Sequence, residues 1–167
     1  MEQSKRKSNR LPDYDYGQPG SYFITLCTHG RLPLFQMDPL VGNGLCAVPP
    51  PPQNRIIHKW IQQTQNKFNN IVIDKYVIMP DHLHLIVTIQ ERHIGRSLQD
   101  VMQFFKTMTT NDYIRGVKAG VLPPFDRKLW QKSYYDHIIR NQQDYDETWV
   151  YIENNPAKWM MIHETDS

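Results

Sequence analysis

Apolar and polar positions along this chain repeat with two periods, and each period marks its own set of elements. From Tyr76 to Gln90 the chain reads Tyr-Val-Ile-Met-Pro-Asp-His-Leu-His-Leu-Ile-Val-Thr-Ile-Gln. Two β-prone runs, Tyr76 to Met79 and Leu83 to Ile89, flank Pro80-Asp81, which predicts a strand, a tight turn and a second strand. Ile71 to Ile73 can lengthen the first of these. Ser21 to His29 alternates between Gly20 and Gly30 and reads as an earlier strand with Tyr22, Ile24 and Leu26 on one face. Helical spacing takes over in Gln53 to Asn69, where Ile57, Trp60, Ile61, Thr64 and Phe68 form a stripe. A second helix opens at Ser97-Leu98-Gln99-Asp100, an N-cap box with a short acid, and runs to about Arg115 with Leu98, Val101, Met102, Phe105, Met108 and Thr109 on its stripe. Aromatic and β-branched residues around Ser133 to Ile139 predict a fourth strand. Asn141 caps a last helix whose early acids Asp144, Asp146 and Glu147 suit the helix dipole, and Pro156 is expected to stop it at about Asn155.

The order strand, helix, strand, strand, helix, strand, with one further helix, predicts an α+β fold. It fits a ferredoxin-like split βαβ sandwich, with an antiparallel sheet, helices on one face and an additional C-terminal helix. Residues 1–167 are expected to form a single domain carrying a Pro-rich surface insertion at about 37–53, in which Pro49 to Pro52 must run extended.

Composition narrows the class without naming a function. Of 167 residues, 40% are hydrophobic and 22% charged, ordinary for a globular protein that can bury a core. No apolar run approaches the roughly 18 residues needed to span a bilayer, and the polar start lacks a signal-peptide core, so a cytoplasmic protein without membrane contact is expected. Cys27 and Cys46 form no C-x-x-C spacing and are expected as free thiols. The net charge of +2 is too small to announce nucleic acid by itself. Its distribution says more, since Arg92 to Arg140 holds nine basic residues against four acidic ones. The cluster Lys5, Arg6, Lys7 and Arg10 reads as a solvated terminus.

The candidate chemistry sits in the hairpin. Alternation puts His82 and His84 on one face about 6.6 Å apart along the strand, with Leu83, Leu85 and Val87 on the other. Two imidazoles so placed are either a pair of ordinary structural histidines or two ligands of one metal ion. Asp81, in the turn, is expected to point away from both. On the last helix Tyr145, Thr148, Trp149 and Ile152 form the buried stripe, and Tyr151 and Asn155 lie four apart on a neighbouring face. Lys106 stands beside the second helix's stripe and can either lie over the sheet edge or meet a phosphate.

Three ordered motifs, Pro80-Asp81-His82-Leu83-His84, then Trp130 to Arg140, then Tyr151-Ile152-Glu153-Asn154-Asn155-Pro156, resemble the single-tyrosine HUH transposases. The branch most similar is that of the REP-associated tyrosine transposases, and the resemblance covers Gly20 to Trp159. It implies a ferredoxin-like nuclease that cuts and rejoins single-stranded DNA near hairpins with a divalent metal, Mg²⁺ or Mn²⁺, and a 5′-phosphotyrosine intermediate. It further implies that His82 and His84 are metal ligands, that Asn155 completes the metal site, and that Tyr151 is the nucleophile. DNA contacts are then expected from Lys106, Lys132 and Arg140, and the protein is expected at the nucleoid. Relatives use the tyrosine in cis or from a partner, so monomer and homodimer both stay open. The Pro-rich insertion and Asp81 depart from the family pattern.

Tyr134 and Tyr135 compete with Tyr151, although alternation lets only one of them face the histidines. Two other classes remain open at this level: a non-catalytic nucleic-acid-binding module of the same fold, and a metal-dependent phosphodiester hydrolase that activates water.

Overall fold

The structure is a computed structural model that describes residues 11, 13–37, 49–91 and 97–164. The basic cluster at Lys5 to Arg10, Arg92, Arg96, Cys46 and most of the Pro-rich insertion lie outside the described residues. Four strands, β1 (Gly20–Cys27), β2 (Ile71–Met79), β3 (His82–Ile89) and β4 (Tyr135–Ile139), form one sheet in the order β2-β3-β1-β4. Every neighbouring pair is antiparallel. β1 and β2 are thus parallel to each other with β3 between them, and β3 and β4 parallel with β1 between them. That is the doubled split βαβ expected from the element order, with α1 (Pro52–Lys67) and α2 (Leu98–Lys118) as the two crossovers.

The helix starts follow local chemistry. Pro52 occupies the first turn of α1, where its missing N–H costs nothing, and Pro51 before it is extended (φ −61°, ψ 156°). Ser97 and Asp100 close a reciprocal capping box on α2. The Asn141 side chain accepts from the Asp144 N–H at 2.8 Å and opens α3 (Gln142–Glu164).

Several of the sequence-based boundaries move, α1 and β4 by one or two residues at an end. β1 ends at Cys27, because His29–Arg31 turn as a short 3₁₀ segment. α2 runs to Lys118 instead of about Arg115. The largest difference is α3, which passes through Pro156 and continues to Glu164. An interior proline costs roughly 3 kcal/mol. The continuation carries Pro156 into a buried position and lays Trp159 on the sheet beside His82, so apolar burial offsets that cost.

The sheet is packed on both faces. Tyr22, Ile24, Leu26, Leu83, Leu85 and Val87 meet the stripes of α1 and α2 in the main core. The opposite face gives a smaller cluster of Val77, Met79 and Ile86, closed by Ile152 of α3 with Tyr145, Trp149 and Trp159 around it. α1 and α2 therefore share one face, as expected, and the C-terminal helix covers the other. That other face is the one from which His82 and His84 project. No helix among the described residues is long and apolar enough to cross a membrane.

Candidate active site

Register fixes which side chains share the α3-covered face. Cys27, His82 and Met79 form one cross-strand row, Tyr135, Thr25, His84 and Val77 the next, and His137, Phe23 and Ile86 the third. His82 and His84 bring their ring centroids to 4.7 Å, with planes at 71°. Both are nearly buried, 8% and 5% exposed. Burial holds the His82 imidazole below its usual pKa, with the Asp81 carboxylate acting in the opposite sense. Burial, reinforced by His82 and Arg31, pushes His84 down to about 3. Both rings are therefore neutral near pH 7, the form that can ligate a metal.

Each ring is oriented through its Nδ1. His82 Nδ1 donates to Asp81 Oδ1 at 2.7 Å, and His84 Nδ1 pairs with Thr25 Oγ1 at 2.8 Å. The expectation for Asp81 is therefore overturned: its carboxylate is turned onto His82. Pro80 and Asp81 form a turn, so the alternation of the flanking strands does not pass through them. The turn is clamped by Thr28, whose N–H and hydroxyl both donate to the Asp81 carbonyl, and by the Phe35 N–H on the Pro80 carbonyl. Arg31 closes the network. It holds a left-handed backbone (φ 56°), uncommon for a residue with a Cβ, and its Nε lies 3.0 Å from Asp81 Oδ2.

α3 supplies the rest. The Tyr151 ring lies 5.6 Å from that of His84 and 5.8 Å from Phe23, is 43% exposed, and has Lys158 Nζ 5.6 Å from its centroid. One turn later Asn155 Nδ2 stands 3.4 Å from His84 Nε2. A half-turn of that amide exchanges Nδ2 for Oδ1, the atom able to ligate a cation. With both Nδ1 atoms engaged, the two Nε2 atoms and the Asn155 amide form a donor set that fits part of a divalent shell and leaves positions for external oxygens. Among the described residues, no group of three His, Cys, Asp or Glu side chains is placed to hold an ion.

The three expected DNA contacts are spread out. Lys106 donates to the carbonyls of Gln131 and Lys132 at 2.8 and 3.0 Å, which ties α2 to the segment before β4. It shares with Arg127, Lys128 and Lys132 a second cleft of about 370 Å³, lined also by Gln103 and Thr107 of α2. Arg140 is exposed just past β4, where its N–H donates to Asp144 Oδ2 at 3.2 Å. Of the competing tyrosines, Tyr134 packs against the main core and Tyr135 faces the histidine side. The resemblance pointed to His82, His84, Tyr151 and Asn155, which the fold brings together. Thr25 and Arg31 carry no sequence signal of their own, since each acts through a contact made only by folding, whereas Asp81 stood in the Pro80 to His84 motif with its orientation misread.

A four-stranded antiparallel sheet, with two crossover helices on one face and a tyrosine-bearing helix over a histidine pair on the other, places the chain among the HUH enzymes. It belongs to the IS200-like transposase family, whose model matches residues 52–155 and so spans both histidines, Tyr151 and Asn155. A Haemophilus influenzae protein without a functional name is 33% identical over 92% of this chain and 89% of its own length. A second protein of that organism, named "Putative REP-associated tyrosine transposase", is 22% identical over 86% of this chain and 74% of its own. The fold is also that of a REP-associated tyrosine transposase solved bound to a REP hairpin, with a TM-score of 0.57, 22% identity, and coverage of 95% of this chain and 74% of that one.

Proposed function

We propose that this transposase-family enzyme nicks and rejoins single-stranded DNA beside hairpins through a covalent 5′-phosphotyrosine link to Tyr151. The observation that carries the proposal is the convergence on one point of Tyr151, 5.6 Å ring to ring from His84, and Asn155, 3.4 Å from His84 Nε2. A likeness in fold to a transposase solved on a REP hairpin supports a hairpin-bearing strand as the partner.

In this reading His82 Nε2, His84 Nε2 and Asn155 Oδ1 hold Mg²⁺ or Mn²⁺. Such an ion supplies positive charge to the non-bridging oxygens of the scissile phosphate. Asp81 and Thr25 keep both imidazoles in the tautomer that presents Nε2 outward. The Tyr151 oxygen forms its bond to phosphorus as the bond from phosphorus to O3′ breaks. The phenolic proton passes to solvent, which the half-exposed ring admits, and the departing 3′ oxygen is protonated to a hydroxyl. One phosphodiester replaces another, so rejoining is the same step reversed and needs no nucleotide triphosphate. Because His84 and Tyr151 of one chain already meet, the tyrosine acts in cis. Lys132 and Arg140, both exposed, and the cleft that Lys106 helps to line contact the DNA backbone.

A labelled hairpin with single-stranded flanks, incubated with the protein and Mn²⁺ and run on a denaturing gel, tests the proposal. A protein-linked labelled band is expected. Free fragments alone would indicate hydrolysis by water, and an intact strand bound in native gels would indicate a binding module.

A further inference from the structure

A cleft of about 590 Å³ runs from the Tyr151 ring and His84 along the edge strand β4 and the first half of α3. Its floor is Phe23, Thr25 and His84. Tyr135 and His137, two apart on β4, form one wall, and Tyr135 is 48% exposed with its ring 6.4 Å from Phe23. The other wall is one helical face carrying Asp144, Glu147 and Thr148.

The two walls select for different parts of a nucleotide. A half-exposed aromatic ring beside a nucleophile that attacks DNA offers a stacking surface to an unpaired base. Two carboxylates repel a phosphate, so the backbone is kept off this wall and toward the Tyr151 end of the cleft. A base edge bearing an amino group is instead attracted to a carboxylate. Asp144 is already committed, to His137 Nε2 at 2.9 Å and to the Arg140 N–H at 3.2 Å. Glu147 accepts through Oε1 from Gln143 Nε2 at 2.9 Å, which leaves Oε2 to accept from a ligand. The volume suits one nucleoside with water around it.

We propose that this cleft holds one unpaired base beside the scissile phosphate, stacked on Tyr135, and that Glu147 favours a base carrying an exocyclic amino group. The proposal rests on the nicking-enzyme reading and assigns that enzyme a specificity pocket.

Fluorescence anisotropy with labelled oligo(dC) and oligo(dT) of equal length, in EDTA so that no chemistry intervenes, tests it. Cytosine presents N4 donors where thymine presents an O4 acceptor, and the two rings stack comparably. The wild type is expected to bind oligo(dC) about tenfold more tightly. Glu147→Gln, whose amide can serve either base, is expected to bring the ratio near one. Tyr135→Ala is expected to weaken both about tenfold, while Tyr135→Phe retains binding. Both positions are exposed, so the variants should fold. A wild-type ratio of one, or a ratio that survives Glu147→Gln, overturns the pocket. So does full affinity in Tyr135→Ala. Binding without base preference, together with a covalent band in the hairpin assay, refutes the pocket alone, whereas no binding to either oligonucleotide together with no covalent band in the hairpin assay refutes the nuclease reading as well.

Discussion

Removing the Asp81 carboxylate probes the site without touching any atom proposed to ligate or react. Asp81 accepts from His82 Nδ1 at 2.7 Å, and its second oxygen lies 3.0 Å from Arg31 Nε. Asp81→Ala frees the imidazole to rotate and to move its proton to Nε2, the atom proposed to ligate. It also leaves the Arg31 charge unbalanced beside a cation site. A charge-assisted hydrogen bond contributes about 1.5–3 kcal/mol, and loss of such an outer partner typically weakens metal binding about 10–100-fold. Isothermal titration with Mn²⁺ should show a loss of that size in Asp81→Ala. Asp81→Asn, which keeps an acceptor oxygen, should lose less than about tenfold by the same reasoning. Near-wild-type affinity in Asp81→Ala would refute the idea that this carboxylate orients His82.

Further perturbations address other parts of the account. Burial keeps the His84 pKa near 3, so as pH falls below about 6.5 the unfolded ring takes up a proton and the native ring does not. Stability of the metal-free protein should then fall by up to about 1.4 kcal/mol per pH unit between pH 7 and 5, and His84→Gln should flatten that slope in denaturant titrations; equal slopes would contradict the assignment. Ile152 is fully buried under α3. Ile152→Ala should cost about 2–5 kcal/mol in denaturant unfolding and should loosen Tyr151 and Asn155 together, lowering Mn²⁺ affinity as well as stability. Asn155→Ala should weaken Mn²⁺ without that stability loss, and unchanged titration would remove the amide from the ligand set. Lys132→Ala should lower hairpin affinity and reduce the slope of log affinity against log salt by about one, and an unchanged slope would exclude a phosphate contact.

What the sequence revealed and what it hid divide along local and non-local physics. The β2–β3 hairpin, the Ser97 capping box, and the stripes of α1 and α2 depend on neighbours within a few residues, and they appear where alternation and helical spacing put them. The Tyr151 and Asn155 spacing was equally readable, since one helical turn fixes it. Pro156 failed as a stop signal because a local penalty met a distant gain, the seating of Trp159 against the far face of the sheet. Asp81 was misread because strand alternation was carried into a turn. Thr25 and Arg31 could not be found at all: one meets His84 across a strand pair, and the other depends on a left-handed backbone that sequence does not display. Lys106 reads as either lying over the sheet edge or meeting a phosphate, and the fold has it donating to two backbone carbonyls before β4, a reach that exists only in the folded chain.

The most direct test of the central claim is to locate the bond. Protein trapped with a hairpin strand and Mn²⁺ can be digested with protease and nuclease and its peptides sequenced by mass spectrometry. The account predicts a single phosphonucleotide adduct on the Tyr151 side chain, absent from Tyr151→Phe. An adduct on Tyr135, or one that persists in Tyr151→Phe, would contradict it.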